Sequence, residues 1–269
     1  MKDYLRQLAG QLDTHLARGL LVREYLQARI LQSLQDRGMF LQWAFHGGTA
    51  LRFLYSIPRF SEDLDFSLRT FGGDAEFRPA LEQVKRSLTV EGYPIEVAIS
   101  GRKAVASAWV RFPGLPRELG LSPHAAQTLS IKVEVDTRPP AGAGIETTVV
   151  RRHVTLQLCH YDKASLLAGK LHAIFSRPWA KGRDLYDLAW YHADQDWPAP
   201  NLKLLNAALT QTGWKGPVMT AANWRPELLG RIEGLDWAKA RADVRPFLER
   251  EGDLSLVALD VLRKLLRGN

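Results

Sequence analysis

Apolar residues recur with a helical period near the start of the chain. Leu21, Tyr25, Ala28, Ile30, Leu31 and Leu34 fall on one face of a helix over residues 20–37, and another helix is expected before it. Trp43 to His46 is a short apolar run that reads as a buried strand, and Thr49 to Tyr55 as the following helix, which Pro58 stops. The period then changes. Leu64, Phe66 and Leu68 alternate with Asp63, Asp65 and Ser67, as on a strand with one apolar and one polar face. Gly72-Gly73-Asp74 reads as a turn leading into a helix over residues 75–88. Strands are expected over residues 95–99, 104–112, 129–136 and 147–158, with the loop Pro139-Pro140-Ala141-Gly142-Ala143-Gly144 between the last two. Beyond Asp162 strand signals nearly vanish. Leu166, Leu167, Lys170, Leu171 and Ile174 have helical spacing, and further helices are expected over 184–192, 202–210, 226–232, 237–249 and 254–266. Asp184 is placed to cap the first of these, with Asp187 in its first turn. The chain reads as an α/β half, residues 1–160, and a helical half, residues 161–269.

Between Gly47 and Asp65 the pattern acquires chemistry. Gly47 and Gly48 permit a tight turn and a close backbone approach, and the helix that begins at Thr49 presents free N–H groups and a positive dipole end suited to phosphate. Asp63 and Asp65, two apart on a strand, point to one side. Two carboxylates on one face repel unless a cation lies between them, and a hard divalent ion such as Mg²⁺ is the natural partner. Each half has an ordinary explanation: Gly-Gly often precedes a helix, and Asp-x-Asp can be a solvated edge. The joint order and spacing is far more specific. Arg52 and Arg59 lie near this motif and are candidates for phosphate contact.

Later, Lys132, Glu134 and Asp136 share the polar face of a strand, which an ordinary half-exposed strand also explains. A bare ammonium at Lys170, among apolar neighbours on a helix, is costly unless it snorkels or meets an anion. Arg183 and Asp184 could form a structural ion pair.

Composition adds bounds rather than chemistry. The 269 residues suffice for one large domain or two small ones, and 46% hydrophobic with 24% charged residues is ordinary for a globular protein. No apolar run reaches the roughly 18 residues of a membrane span, no signal-peptide segment opens the chain, and a single cysteine, Cys159, allows no internal disulfide; a cytoplasmic protein with no membrane partner is the simplest reading. Cys159 lies among Leu156, Leu158 and Tyr161, as a core thiol does. The net charge of +7 favours a polyanionic partner without choosing one. Trp197, Trp214, Trp224 and Trp237 are read as helical packing.

The stretch from Gly47 to Asp65 resembles the first motif of the DNA polymerase β-like nucleotidyltransferases. The fuller string, His46-Gly47-Gly48-Thr49-Ala50-Leu51 with Arg59, Ser61, Asp63, Leu64, Asp65 and Phe66, more narrowly resembles the AbiEii/AbiGii-type toxins of abortive-infection and toxin–antitoxin pairs. Thr49 stands where the wider superfamily commonly has Ser, and keeps the hydroxyl. The resemblance implies an α/β fold, a polymerase β-like mixed sheet with flanking helices, followed by a helical C-terminal domain. It implies a catalytic set of Asp63, Asp65, Lys170 and Asp184, and a third metal-binding carboxylate at Glu134 beside Asp63 and Asp65, together holding two Mg²⁺ ions. Asp136 remains a rival to Glu134. Gly47, Gly48, Thr49, Arg52, Ser61 and Lys170 are the nucleotide-binding residues so implied. A phosphate added to Ser61 would place negative charge beside the carboxylates and block the site. Implied partners are an NTP, a tRNA whose 3′ end accepts the nucleotide, and a cognate antitoxin. The alternatives are transfer to a protein or small molecule, and nucleotide binding without chemistry.

Overall fold

In a computed structural model, residues 2–70, 76–100, 104–179 and 181–267 are described; the turn expected at Gly72-Gly73-Asp74 lies outside them. The chain divides into two compact units. One comprises Met1–Ser56, Phe60–Pro139 and Thr147–His160; the other comprises Ile57–Arg59, Pro140–Glu146 and Tyr161–Asn269.

The first unit is built on helices α1 (Lys2–Ala9), α2 (His15–Asp36), α3 (Gly47–Tyr55), α4 (Phe77–Val90) and α5 (Leu115–Glu118), on strands β1 (Trp43–His46), β2 (Leu64–Leu68), β3 (Glu96–Ser100), β4 (Val105–Pro113) and β5 (Thr128–Asp136), and on all but the first two residues of β6 (Ile145–Arg152) and the last of β7 (Val154–Tyr161). The strands form one mixed sheet in the order β3-β4-β5-β2-β1-β7-β6. β1 and β2 are antiparallel, β2 runs parallel to β5, and β1 runs parallel to β7. One sheet face carries the core: Phe45, Phe66, Ala108, Val110, Ile131, Val133 and Val135 are buried, as are Leu26, Ile30 and Leu34 of α2 and Leu81 and Val84 of α4. Phe53 of α3 meets Phe45 edge-on at 6.5 Å, so α3 packs on this apolar face. Polar residues occupy the alternate positions, as period-two alternation requires.

The single strand expected over 147–158 is instead the pair β6 and β7. The break falls at His153, whose φ of 61° is left-handed, and whose ring Nε2 lies 2.7 Å from Glu24 Oε1. That hydrogen bond gives a β-region sequence a reason to turn where no glycine or proline marks it. The helix after His46 also begins earlier than expected, at Gly47, so both glycines lie in its first turn.

The second unit holds α6 (Lys163–Ser176), α7 (Gly182–Ala193), α8 (Leu202–Gln211), α9 (Trp224–Glu233), α10 (Trp237–Val244) and α11 (Leu259–Arg267). Asp162 caps α6, accepting from the Ser165 N–H at 2.7 Å. α10 ends at Val244 rather than continuing to 249, because Pro246 follows in a 3₁₀ turn. α7 starts at Gly182, so Asp184 lies in its first turn and is not its N-cap. The cap comes from elsewhere: Gly182 N–H donates to Asp243 Oδ2 of α10 at 2.8 Å. A Cβ at Gly182 would lie 1.8 Å from the Ala240 carbonyl oxygen, so only glycine admits this approach. Trp224 is buried here, while Trp197 stacks edge-on with Trp190 and Tyr191, Trp214 packs on Phe175, and Trp237 donates to the Ile232 carbonyl at 3.2 Å.

Candidate active site

The register of the central strands decides which polar side chains meet. Asp65 of β2 stands opposite His46 of β1 on one side and Glu134 of β5 on the other. β4 extends the row, with Ser107 opposite Glu134. Asp63 sits one residue before β2 begins and is half-buried, as are Asp65 and Glu134. All three carboxylates therefore belong to the polar side of the first unit. Ser67, next along this face, lies 3.0 Å from His46 Nε2.

α3 brings its N-terminus to the same place. Gly47 has φ 80°, and a Cβ there would lie 2.5 Å from Asp65 Oδ2. The backbone of the first helical turn is thus pressed against the Asp65 carboxylate. His46 precedes the helix without a side-chain cap, which leaves the turn's N–H groups uncapped by it. Thr49 is fully buried, and its hydroxyl donates to the Asp63 carbonyl. That bond ties the cradle to the strand's entrance. From α2, Gln27 Nε2 donates to the carbonyls of Ser61 and Glu62, at 3.1 and 2.9 Å, and fixes the approach to Asp63.

Arg52 is 2% exposed and is turned into the fold, where its Nε donates to Glu24 Oε2 at 2.5 Å. Arg152 donates to the same carboxylate at 2.8 Å. Burial alone would raise the Glu24 pKa, but hydrogen bonds from His153 and Arg152 and the charge of Arg52 outweigh it and hold the carboxyl at about 2.

Lys132 is the residue of this face to which the sequence reading gave no role. Its ammonium lies 2.8 Å from Glu134 Oε1. The hydrogen bond to Glu134 raises its pKa against the cost of burial, and the charges of Asp63 and Asp65 act in the same direction. The signal was present as Lys-x-Glu on one strand face. Among the described residues, no three carboxylate, histidine or cysteine side chains converge as a metal cage. The donor set nevertheless fits magnesium: all donors are hard oxygens, and Mg²⁺ characteristically takes one or two carboxylates with substrate phosphates completing its shell. Asp63 and Asp65 are the pair that could hold it, with Glu134 engaged by Lys132.

The second unit contains its own charge cluster. Lys170 Nζ lies 2.7 Å from Asp187 Oδ2 and 3.1 Å from Asp184 Oδ1. Arg59 grips Asp187 through two bonds, Nε to Oδ1 and Nη2 to Oδ2, both 2.5 Å, and Arg177 Nη1 lies 2.6 Å from Asp184 Oδ2. Burial opposes ionisation of Asp187, but Arg59 and Lys170 hold its pKa below the ordinary carboxylate range. Lys170 is likewise held above its usual value by Asp187 and Asp184 despite burial. Arg183 lies over the Phe247 ring at 4.2 Å. Of the residues singled out by sequence, Gly47, Thr49, Asp63, Asp65 and Glu134 meet on the first unit, and Lys170 and Asp184 meet in the second.

The profile of one protein family matches residues 29–258: the nucleotidyl transferase AbiEii toxin of type IV toxin–antitoxin systems. The chain belongs to the AbiEii toxin family. This AbiEii protein is accordingly a nucleotidyltransferase of the toxin class. Among solved structures it is similar to MenT4, a nucleotidyltransferase toxin of Mycobacterium tuberculosis, with TM-score 0.53 and 19% identity over 98% of this chain and 99% of that one. It is similar also to JHP933 of Helicobacter pylori, with TM-score 0.52 and 19% identity over 92% of each chain. At that identity these likenesses establish the fold, a mixed α/β sheet with many helices. No curated protein sequence matches. Among the described residues of this AbiEii protein, no helix is long and apolar enough to cross a membrane.

Proposed function

We propose that this AbiEii enzyme transfers a nucleotide from an NTP to the 3′ end of tRNA in a Mg²⁺-dependent reaction, and that its toxicity follows from blocked translation, with a cognate antitoxin as its protein partner. The observation that carries this reading is the contact between cradle and carboxylate: the first turn of α3 is packed on Asp65, which has Glu134 as its strand neighbour. A triphosphate received at the N–H groups of Gly47, Gly48 and Thr49 would then have its α-phosphate beside the carboxylates.

The residues divide the work. Asp63 and Asp65 would hold magnesium, and the chemistry so supplied is activation of the attacking hydroxyl and neutralisation of the departing pyrophosphate. Glu134 serves as the third carboxylate, with Lys132 balancing its charge. Thr49, through its bond to the Asp63 carbonyl, keeps the cradle and the carboxylates in register. Lys170 and Asp184, which pair with one another in the second unit, are the further catalytic residues of this reading, carried by the family resemblance. Overall, the acceptor hydroxyl oxygen bonds to the α-phosphorus, the bond from that phosphorus to pyrophosphate breaks, and the hydroxyl proton passes to solvent. The net charge of +7 supports a polyanionic acceptor.

Purified protein incubated with Mg²⁺, labelled NTPs and a tRNA pool should extend the tRNA and release pyrophosphate. Asp65→Asn, which keeps the shape of the side chain and removes its charge, should abolish both. Robust extension by a folded Asp65→Asn protein would overturn the site assignment.

A further inference from the structure

The polar sheet face does not end at the carboxylates. β4 lies beyond β5, and along it Ser107, Trp109 and Arg111 alternate with the buried Ala108, Val110 and Phe112. Trp109 therefore shares the face of Glu134 and Asp65. Its strand partner is Lys132, the same lysine that binds Glu134 at 2.8 Å, so the indole sits one strand beyond the carboxylate row. Strands are spaced about 4.8 Å apart, which puts Trp109 about 10 Å from the Asp65 strand. At 38% exposure this tryptophan is among the large apolar side chains left open to solvent, on a strand whose opposite face is buried at Ala108, Val110 and Phe112. Core packing does not account for it.

We propose that Trp109 is a stacking platform for the terminal base of a single-stranded RNA acceptor, with the Arg111 guanidinium, two residues along the same face, meeting the adjoining phosphodiester. The inference rests on the nucleotidyl-transfer reading above. Direction selects the acceptor rather than the base of the NTP. The triphosphate cradle lies at α3, which follows β1 on one side of Asp65, and Trp109 lies past β5 on the other side. Displacement at the α-phosphorus brings the attacking oxygen in line with and opposite to the leaving pyrophosphate. A leaving group on the β1 side requires an acceptor arriving from the β5–β4 side, where Trp109 stands. Unpaired RNA bases stack on exposed aromatic rings irrespective of sequence, and arginine beside such a ring meets the backbone charge.

The test uses the full chain, a fluorescent single-stranded RNA hexanucleotide, and the same oligonucleotide with an abasic 3′-terminal residue, with binding followed by anisotropy without NTP. Stacking of one base corresponds to about a tenfold difference in Kd or more. Wild-type protein should prefer the intact oligonucleotide by that factor. Trp109→Ala should bind both as wild type binds the abasic one, and Trp109→Phe should restore most of the preference. NTP affinity in Mg²⁺ should be unchanged in both variants, and their thermal melts should match wild type. Wild-type protein that does not distinguish the oligonucleotides, or a Trp109→Ala protein that still does, overturns the inference. So does a loss that appears in NTP affinity instead. These outcomes are separable from failure of the parent reading: absence of nucleotidyl transfer by wild type to any acceptor sinks the reaction, whereas base-dependent RNA binding is scored without it.

Discussion

Gly47 is glycine for two separable reasons. Its φ of 80° costs an L-residue about 1–2 kcal/mol, and its missing Cβ leaves room for Asp65 Oδ2, which would otherwise be 2.5 Å away. Gly92 isolates the first reason: its φ is 84°, and a Cβ there meets nothing within 4 Å. Gly92→Ala should therefore lose about 1–2 kcal/mol in urea denaturation and keep its rate of nucleotidyl transfer. Gly47→Ala should lose at least as much stability, and must also push Asp65 or the α3 turn away by about 1 Å, a misplacement that can cost about a hundredfold in rate. Equal activities in the two variants would show that the Gly47–Asp65 contact does not position the carboxylate. The glycines and the aspartates were each legible in the sequence, but their contact was not. It arises from the β1–β2 register, which pairs His46 with Asp65 across 19 positions. Arg52 illustrates the opposite error of scale. Its nearness to the motif suggested phosphate contact, but its Nε partner, Glu24, lies a helix earlier in the chain.

At the scale of elements, α6 and α7 are joined by charge as well as by apolar packing. Asp187 receives two cations, the buried Arg59 and the partly buried Lys170, while Asp184 shares Lys170 with Arg177, whose side chain is 40% exposed. Removing Asp187 leaves the buried Arg59 without this counter-charge and Lys170 without its closer partner, and breaking buried pairs in this way typically costs about 3–5 kcal/mol. Removing Asp184 leaves Lys170 its closer partner and lets Arg177 turn to solvent, at about 1–2 kcal/mol. Asp187→Ala should thus lower the thermal midpoint clearly more than Asp184→Ala, as scanning calorimetry would record. The reverse order would mean that Asp184, not Asp187, holds the cluster together. Most helices here were legible because their apolar residues recur over three or more turns. Their ends were less so, because the decisive partners are distant: Asp243 caps α7 from α10, and Glu24 holds the His153 turn that divides β6 from β7. Nor could a linear boundary show that Ile57–Arg59 groups with the helical unit, where Arg59 bridges to Leu248 and the Pro58 carbonyl accepts from Glu249 N–H at 3.2 Å.

Over the whole molecule, buried ionisable groups make stability depend on pH in two windows. His192 lies in the second unit, stacked on Trp224, and burial, aided by the charge of Arg225, lowers its pKa to about 4 from 6.5. The unfolded chain protonates this ring first, so stability should fall as pH drops from about 6.5 towards 4. The carboxylates act lower. Glu24 titrates near 4.5 when unfolded and at about 2 when folded, so its contribution is complete above 4.5 and is lost as pH falls towards 2. A depression of that size corresponds to about 3 kcal/mol. Asp187, also held below its ordinary value, adds loss of the same sign in the second unit. Urea midpoints measured at pH 7.5, 5 and 3 should therefore decline in both intervals. His192→Phe should flatten the upper interval and, because the His192 window ends near pH 4, leave only the carboxylate part of the lower one. Glu24→Gln should do the converse: it is less stable at pH 7.5, because Arg52 loses its buried counter-charge, yet it should change less between pH 4.5 and 2 than wild type. An unaltered acid slope in Glu24→Gln would mean that the Glu24–Arg52–Arg152–His153 cluster does not set the acid stability of the sheet unit. Its role would then reduce to fixing the His153 turn.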